Sequence, residues 1–275
     1  MALDDWPSPS VNVREAFNVR EFGDPHGRPM LLAHGFGCEQ GMWRHMVPAF
    51  AADHRVIVFD HMGLGGSDPR YYDAGDYGSL ETYARDVLRI CEELALEDIV
   101  FVGHSVSAMI GVLAARREPT RFGALVLICP SPRYIDDPET AYRGGFSADD
   151  IDGLLSTLSH NYLGWAESMA PVIMGAPEGD PLSDELAATF CRADPEIAKR
   201  FANATFLSDN RDDLAHVDVR SLVIQTKHDV IAPEFVGRYV ADHLPRAELV
   251  EIDAVGHCPN MSAPEQTSAA IKAFL

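Results

Sequence analysis

The feature that most constrains this chain is a recurring alternation of two sequence rhythms. Short apolar, β-branched or aromatic runs, at 29–33, 55–59, 99–102 and 124–128, each stop at a polar or glycine-rich turn. That is the pattern of strands buried on both faces. Helical patterns at 80–94 and 105–117 lie between them. Strand following helix following strand predicts a mostly parallel sheet with helices on both faces, joined by right-handed crossovers. The same alternation returns near the end, with strands predicted at 221–225 and 248–252 and helices at 234–244 and 264–275.

Between these two stretches, from Ser131 to about Val217, the strand rhythm disappears. An amphipathic helix is predicted from Asp149, with further helices around 160–170, 184–193 and 195–208 and a loop at Gly175–Pro181. The expected organisation is a core formed by 1–130 and 218–275, with a helical cap, 131–217, inserted in it. A chain of 275 residues with 47% hydrophobic and 23% charged residues suits one core carrying one insertion.

Composition excludes several classes of function. The formal charge of −20, with no visible cluster of Lys and Arg, argues against nucleic-acid binding. Five cysteines (Cys38, Cys91, Cys129, Cys191, Cys258) form no C-x-x-C pair, so neither a zinc ribbon nor a disulfide framework is expected. The acidic start, Met1 to Trp6, lacks the basic and apolar regions of a secretory signal, and no stretch has the apolar length of a membrane helix. A cytoplasmic protein is the expectation.

The chemistry is carried by turns that follow the predicted strands. Val102-Gly-His-Ser-Val-Ser107 has the small-x-Ser-x-small form of a nucleophile elbow, with Ser107 at the place of the usual second glycine. A helix N-cap is the alternative role for Ser105. A serine hydroxyl needs an imidazole to take its proton, and that imidazole needs a carboxylate to orient it. Asp229 and His257 follow the strands at 221–225 and 248–252, in that order. Taken singly, an Asx turn for Asp229 and a surface-loop histidine for His257 are equally good readings; their joint order and placement favour the triad. His34-Gly-Phe-Gly37 follows the first strand, so the backbone N–H groups of Phe36 and Val106 are candidate oxyanion donors, worth about 3–4 kcal/mol each in comparable sites. The glycines of Asp60–Ser67 miss the spacing of a dinucleotide loop and are read as a turn. Eleven histidines include no H-E-x-x-H, so no metal and no cofactor are expected, and His61, His160 and His216 are read as surface or core-edge residues.

At these residues the chain resembles the α/β-hydrolases that include the bacterial RsbQ-type stress regulators and the plant karrikin and strigolactone receptors. The resemblance rests on Gly103–Gly111, His34–Gln40, Asp60–Asp68 and Ser131–Tyr134, and in the insertion on Gly144–Phe146, Asn161–Trp165, Ala170-Pro171 and Phe206–Arg211. It covers nearly the whole chain from about Asn18. It implies an α/β-hydrolase fold with a V-shaped four-helix cap over a mostly apolar pocket, lined at matching positions by Phe36, His104, Tyr134, Phe146, Trp165 and Phe206; plain core packing is the alternative for each aromatic. Met169, where the family often has Phe, and Cys258, where it usually has Leu, belong to the same expected pocket, as does Val230 beside Asp229. Pro130 replaces a common Ala. The implied activity is hydrolysis of a small hydrophobic ester, lactone or butenolide. The alternative is a ligand sensor that controls a regulatory partner, such as a PAS-domain phosphatase, with hydrolysis slow or secondary. A perhydrolase or cofactor-free haloperoxidase would share the triad.

Overall fold

The computed structural model describes residues 12–275, so the acidic start at Met1–Trp6 lies outside the described residues. Among the described residues, seven strands form one sheet: β1 (Arg20–Gly23), β2 (Arg28–Ala33), β3 (His54–Phe59), β4 (Ile99–His104), β5 (Phe122–Ile128), β6 (Ser221–His228) and β7 (Ala247–Val255). Their spatial order is β1-β3-β2-β4-β5-β6-β7. Every neighbouring pair is parallel except β1 with β3. The sequence rhythm does not predict β1. Arg20-Glu21-Phe22-Gly23 has one large apolar residue and sits mostly exposed at the sheet edge, where no burial pattern is required.

The period of two along each strand divides the core into two layers. Leu31, Ile57, Phe101, Leu125 and Val223 face one cluster, while Met30, Val56, Val100, Val126 and Ile224 face the other. Residues of the helices Leu80–Glu93 and Val106–Arg117 cover the first face. Ile271 and Phe274 of the last helix cover the second, as does the inner side of the insertion. In Val106–Arg117 every residue from Val106 to Ala115 is buried, as expected for a helix enclosed on all sides.

Four helices of twelve or thirteen residues stand between β5 and β6, Ala148–His160, Tyr162–Met174, Pro181–Arg192 and Pro195–Phe206, followed by the short helix Arg211–Leu214. Local chemistry sets their starts. Ser147 and Asp150 form a reciprocal capping box. Asp180 and Asp194 cap the third and fourth, each followed by proline at the first helical position. The Asp180 cap starts its helix three residues before the apolar periodicity at 184–193 becomes visible. No described helix is long and apolar enough to cross a membrane.

Candidate active site

β4 ends in the elbow. Ser105 has φ 57° and ψ −122°, a backbone conformation unusual for a residue with a side chain. It is held by its own amide, which donates to the Ile128 carbonyl at 2.8 Å. The turn demands glycine at 103, because a Cβ there would lie 2.4 Å from the Ser107 carbonyl oxygen. The result sets Ser105 at the N-terminus of Val106–Arg117, beside the ends of β6 and β7.

Those two strand ends supply the rest. His257 Nε2 lies 2.7 Å from Ser105 Oγ, and His257 Nδ1 lies 2.6 Å from Asp229 Oδ2. Asp229 is acceptor only when ionised, so Nδ1 carries the proton and Nε2 is left bare toward the serine hydroxyl. The other Asp229 oxygen accepts from the Ile231 and Ala232 amides at 2.8 and 3.0 Å. Burial pushes the Asp229 carboxyl up, but His257 and these hydrogen bonds outweigh it and hold the group below its ordinary value. Asp229 therefore forms the Asx turn that its sequence allows and orients an imidazole at the same time.

The backbone of His257 is fixed from two directions. Its carbonyl accepts from His104 Nε2 at 2.7 Å, and its amide donates to the Ile173 carbonyl, on the inserted helix, at 2.7 Å. Burial drives His104 down to about 3, so the ring is neutral at physiological pH. Its face also explains Gly35, where a Cβ would meet His104 Nδ1 at 2.4 Å and Ser105 Cβ at 3.4 Å. The loop bearing Phe36 thus lies directly against the elbow bearing Val106. At its far end the loop is anchored by Asp60, which accepts from the Gln40 amide at 2.7 Å and from Asn18 Nδ2 at 2.7 Å.

A cavity of about 490 Å³ of empty space, counted out to its opening, lies over Ser105 and His257. Phe36, His104, Tyr134, Trp165, Met169, Phe206 and Cys258 all line it. Two expected pocket positions need correction. Val230 is 55% exposed and outside the lining, because the tight Asp229 turn sends residue 230 outward and Ile231 inward. Phe146 packs half-buried beside Tyr134, its amide donating to the Tyr134 carbonyl, and does not reach the cavity. The sequence reading also missed wall residues on the insertion. Ile173 extends the helical row Trp165, Met169, and Leu186 pairs with Phe190 one turn on; this i, i+4 spacing is the signal that could have found them. Cys38 joins the wall as well, its thiol pushed up to about 12 by burial. The walls are therefore apolar, and their thiols stay protonated.

Cys129, Asp229 and His257 bring potential ligand atoms within 4.8 Å of one another. They make a poor metal site. His257 Nδ1 is engaged by Asp229, and burial keeps the Cys129 thiol well above its ordinary value, hence neutral. His61 also departs from expectation: His160 and His216 are exposed, but His61 is fully buried, 2.7 Å from Ser107 Oγ.

Comparison with known proteins agrees with this fold. A profile of the alpha/beta hydrolase fold family matches residues 28–264. The karrikin insensitive 2 receptor CA of Petunia hybrida is 39% identical over 254 residues, 92% of this chain and 93% of that protein. Strigolactone esterase D14 of Arabidopsis thaliana is 37% identical over 265 residues, 96% and 98% of the two chains. The solved structure of a hydrolase from Oleispira antarctica superposes with a TM-score of 0.92 at 39% identity, covering 96% of both chains. The elbow, the strand order and these relatives together place the chain in the α/β-hydrolase fold family, in the group of the karrikin and strigolactone receptor proteins.

Proposed function

We propose that the protein hydrolyses a small hydrophobic ester, lactone or butenolide with Ser105 as nucleophile, His257 as its base and Asp229 as the group orienting that base. The observation that carries this reading is the unbroken relay of Asp229, His257 and Ser105 at 2.6 and 2.7 Å, opening onto an apolar cavity. Ser105 Oγ adds to the substrate carbonyl carbon as its proton passes to His257 Nε2. The carbonyl oxygen becomes an oxyanion, received by the amides of Phe36 and Val106. Collapse expels the alcohol, or opens the ring of a lactone, as His257 returns the proton to the departing oxygen. Water, deprotonated by the same imidazole, then releases the acid and restores Ser105. A neutral ligand suits walls that carry no charge, since an anionic acid would be poorly solvated there.

With p-nitrophenyl acetate, the protein is expected to release p-nitrophenol in a Ser105-dependent reaction, with the Ser105→Ala rate lower by about 10⁴-fold or more. Equal rates for the two proteins would refute the assignment.

A second reading, ligand sensing for a regulatory partner, is favoured by the receptor name of the Petunia relative and by the bond from the His257 amide to the Ile173 carbonyl. That bond joins a ligand-lining helix to the loop of the base, so ligand occupancy and cap geometry would be coupled. Hydrogen exchange across residues 148–206 should slow on ligand binding; identical exchange with and without a bound butenolide would remove this reading.

A further inference from the structure

Two buried polar side chains beside the site, Ser107 and His61, have no part in the steps above. Ser107 stands where the usual elbow has a glycine that needs no partner, yet its hydroxyl donates to the His34 carbonyl. His61 Nε2 lies 2.7 Å from that same hydroxyl oxygen and 3.2 Å from the same carbonyl. The His61 amide in turn donates to His34 Nε2 at 3.0 Å, and His34 Nδ1 lies 2.9 Å from the Gly35 carbonyl.

The protons can be assigned from these partners. His34 Nε2 accepts from an amide, so its proton sits on Nδ1 and donates to Gly35. His61 must then present Nε2–H to Ser107 and His34. Burial depresses both imidazoles below their ordinary value, against the pull of Asp60 on His34, so this neutral arrangement holds through the physiological range. Among the described residues His61 Nδ1 is buried without a partner, so the ring acts through its other nitrogen and through edge-on packing against Phe59 and Tyr83, at 5.2 and 5.6 Å.

The position of this network along the chain is what matters. Ser107 directly follows Val106, and the His34 carbonyl lies two residues before Phe36. We infer that Ser107 and His61 form a buried clamp joining the elbow helix to the 34–36 loop, and so fix the separation of the Phe36 and Val106 amides. Both are positioning residues, and the inference rests on the hydrolase reading with those amides as oxyanion donors. Two donors on separate segments stabilise an oxyanion only while both keep hydrogen-bond geometry toward one point, so a loosened tie should cost turnover more than substrate binding.

The test is steady-state hydrolysis of p-nitrophenyl acetate by the whole protein and by Ser107→Ala, His61→Phe, His61→Gln and the Ser107→Ala/His61→Phe double variant, with thermal midpoints measured alongside. Ser107→Ala and His61→Phe should each lower kcat by about ten- to a hundred-fold with KM changed by less than about two-fold. The double variant should be little worse than either single one, because both remove the same tie. His61→Gln, which keeps an N–H donor at similar reach, should recover most of the loss. Should Ser107→Ala fail to fold, Ser107→Gly, the usual elbow residue, takes its place in the comparison. Ser105-dependent turnover in the parent protein, with kcat unchanged in the Ser107 and His61→Phe variants, would overturn the clamp. So would a His61→Gln variant no better than His61→Phe. Absence of Ser105-dependent turnover in the parent protein would instead defeat the hydrolase reading on which the clamp depends.

Discussion

The floor and the roof of the cavity are built by opposite means. The floor consists of strand ends and turns whose polar groups are bonded to one another: Ser105 to His257, His257 to Asp229 and His104, Ser107 to His34. The roof consists of helices that contribute apolar side chains such as Trp165, Met169 and Phe190. It is tied to the floor by the buried bond from the His257 amide to the Ile173 carbonyl, and at the surface by the pairs Arg44 with Glu185 and Arg192 with Glu39. The floor is directional, because hydrogen bonds lose value steeply with angle. The roof is adjustable, because apolar contact depends on volume and shape far more than on orientation.

Changes to the floor should therefore cost rate, and changes to the roof should cost binding or stability. After Ser105→Ala, the largest effect is expected at Asp229→Asn, which keeps the shape but favours the wrong His257 tautomer. The kcat should fall by about 10³–10⁴-fold with little change in thermal midpoint, measured by ester turnover and calorimetry. A loss under about ten-fold would show that the floor is less directional than described.

On the roof, Phe190→Ala should destabilise by about 2–4 kcal/mol in denaturant unfolding, since the ring is buried against Phe36 and Trp165, at 6.0 and 5.3 Å. It should raise KM while leaving kcat within about three-fold. A kcat loss as large as that of Asp229→Asn would erase the distinction between the two regions.

A third change probes the layer beneath the floor. Asp86 is buried, accepts from the Tyr77 hydroxyl at 2.8 Å, and is pushed by burial up to about 7. The folded carboxyl thus keeps a proton that the unfolded one, near 3.8, has already lost. Its contribution to stability is fully present below about pH 4, falls as pH rises toward about 7, and stays low above that. Asp86→Asn should flatten this slope and stabilise the protein at pH 8 by a few kcal/mol at most, read from unfolding midpoints between pH 5 and 8. An unchanged slope would mean that Asp86 does not carry it.

The smallest effect belongs to the surface tie. Arg44 and Glu185 are each more than a third exposed, so Arg44→Gln should cost no more than about 0.5 kcal/mol and diminish further in salt. A larger penalty would mean that the roof is held by charge as well as by apolar contact.

These regions also differ in how far they could be read from the amino-acid sequence. The elbow was legible because its demands are local: a glycine at 103, a strand before it and a helix after it. Asp229 and His257 were legible because each sits at the turn closing a strand. Val230 was misplaced because an Asx turn decides which of two neighbours points inward, and that depends on the amides of Ile231 and Ala232 rather than on hydrophobicity. Phe146 was misplaced because a half-buried aromatic has the same local pattern whether it lines a cavity or packs behind it. His61 looked like an edge residue because nothing in its own segment reveals Ser107, which is 46 positions away.

By itself, the sequence determined the alternation of the six parallel strands with their longer helices, the break in that alternation between β5 and β6 and the residue types available for nucleophilic chemistry, because period, caps and turns act over a few residues. The tertiary structure alone decided that β1 pairs antiparallel at the sheet edge, that His257 reaches both Ser105 and Asp229, and that Ser107 closes on His34. Those outcomes depend on contacts between distant segments, whose geometry is set when the whole core packs, so no local pattern encodes them.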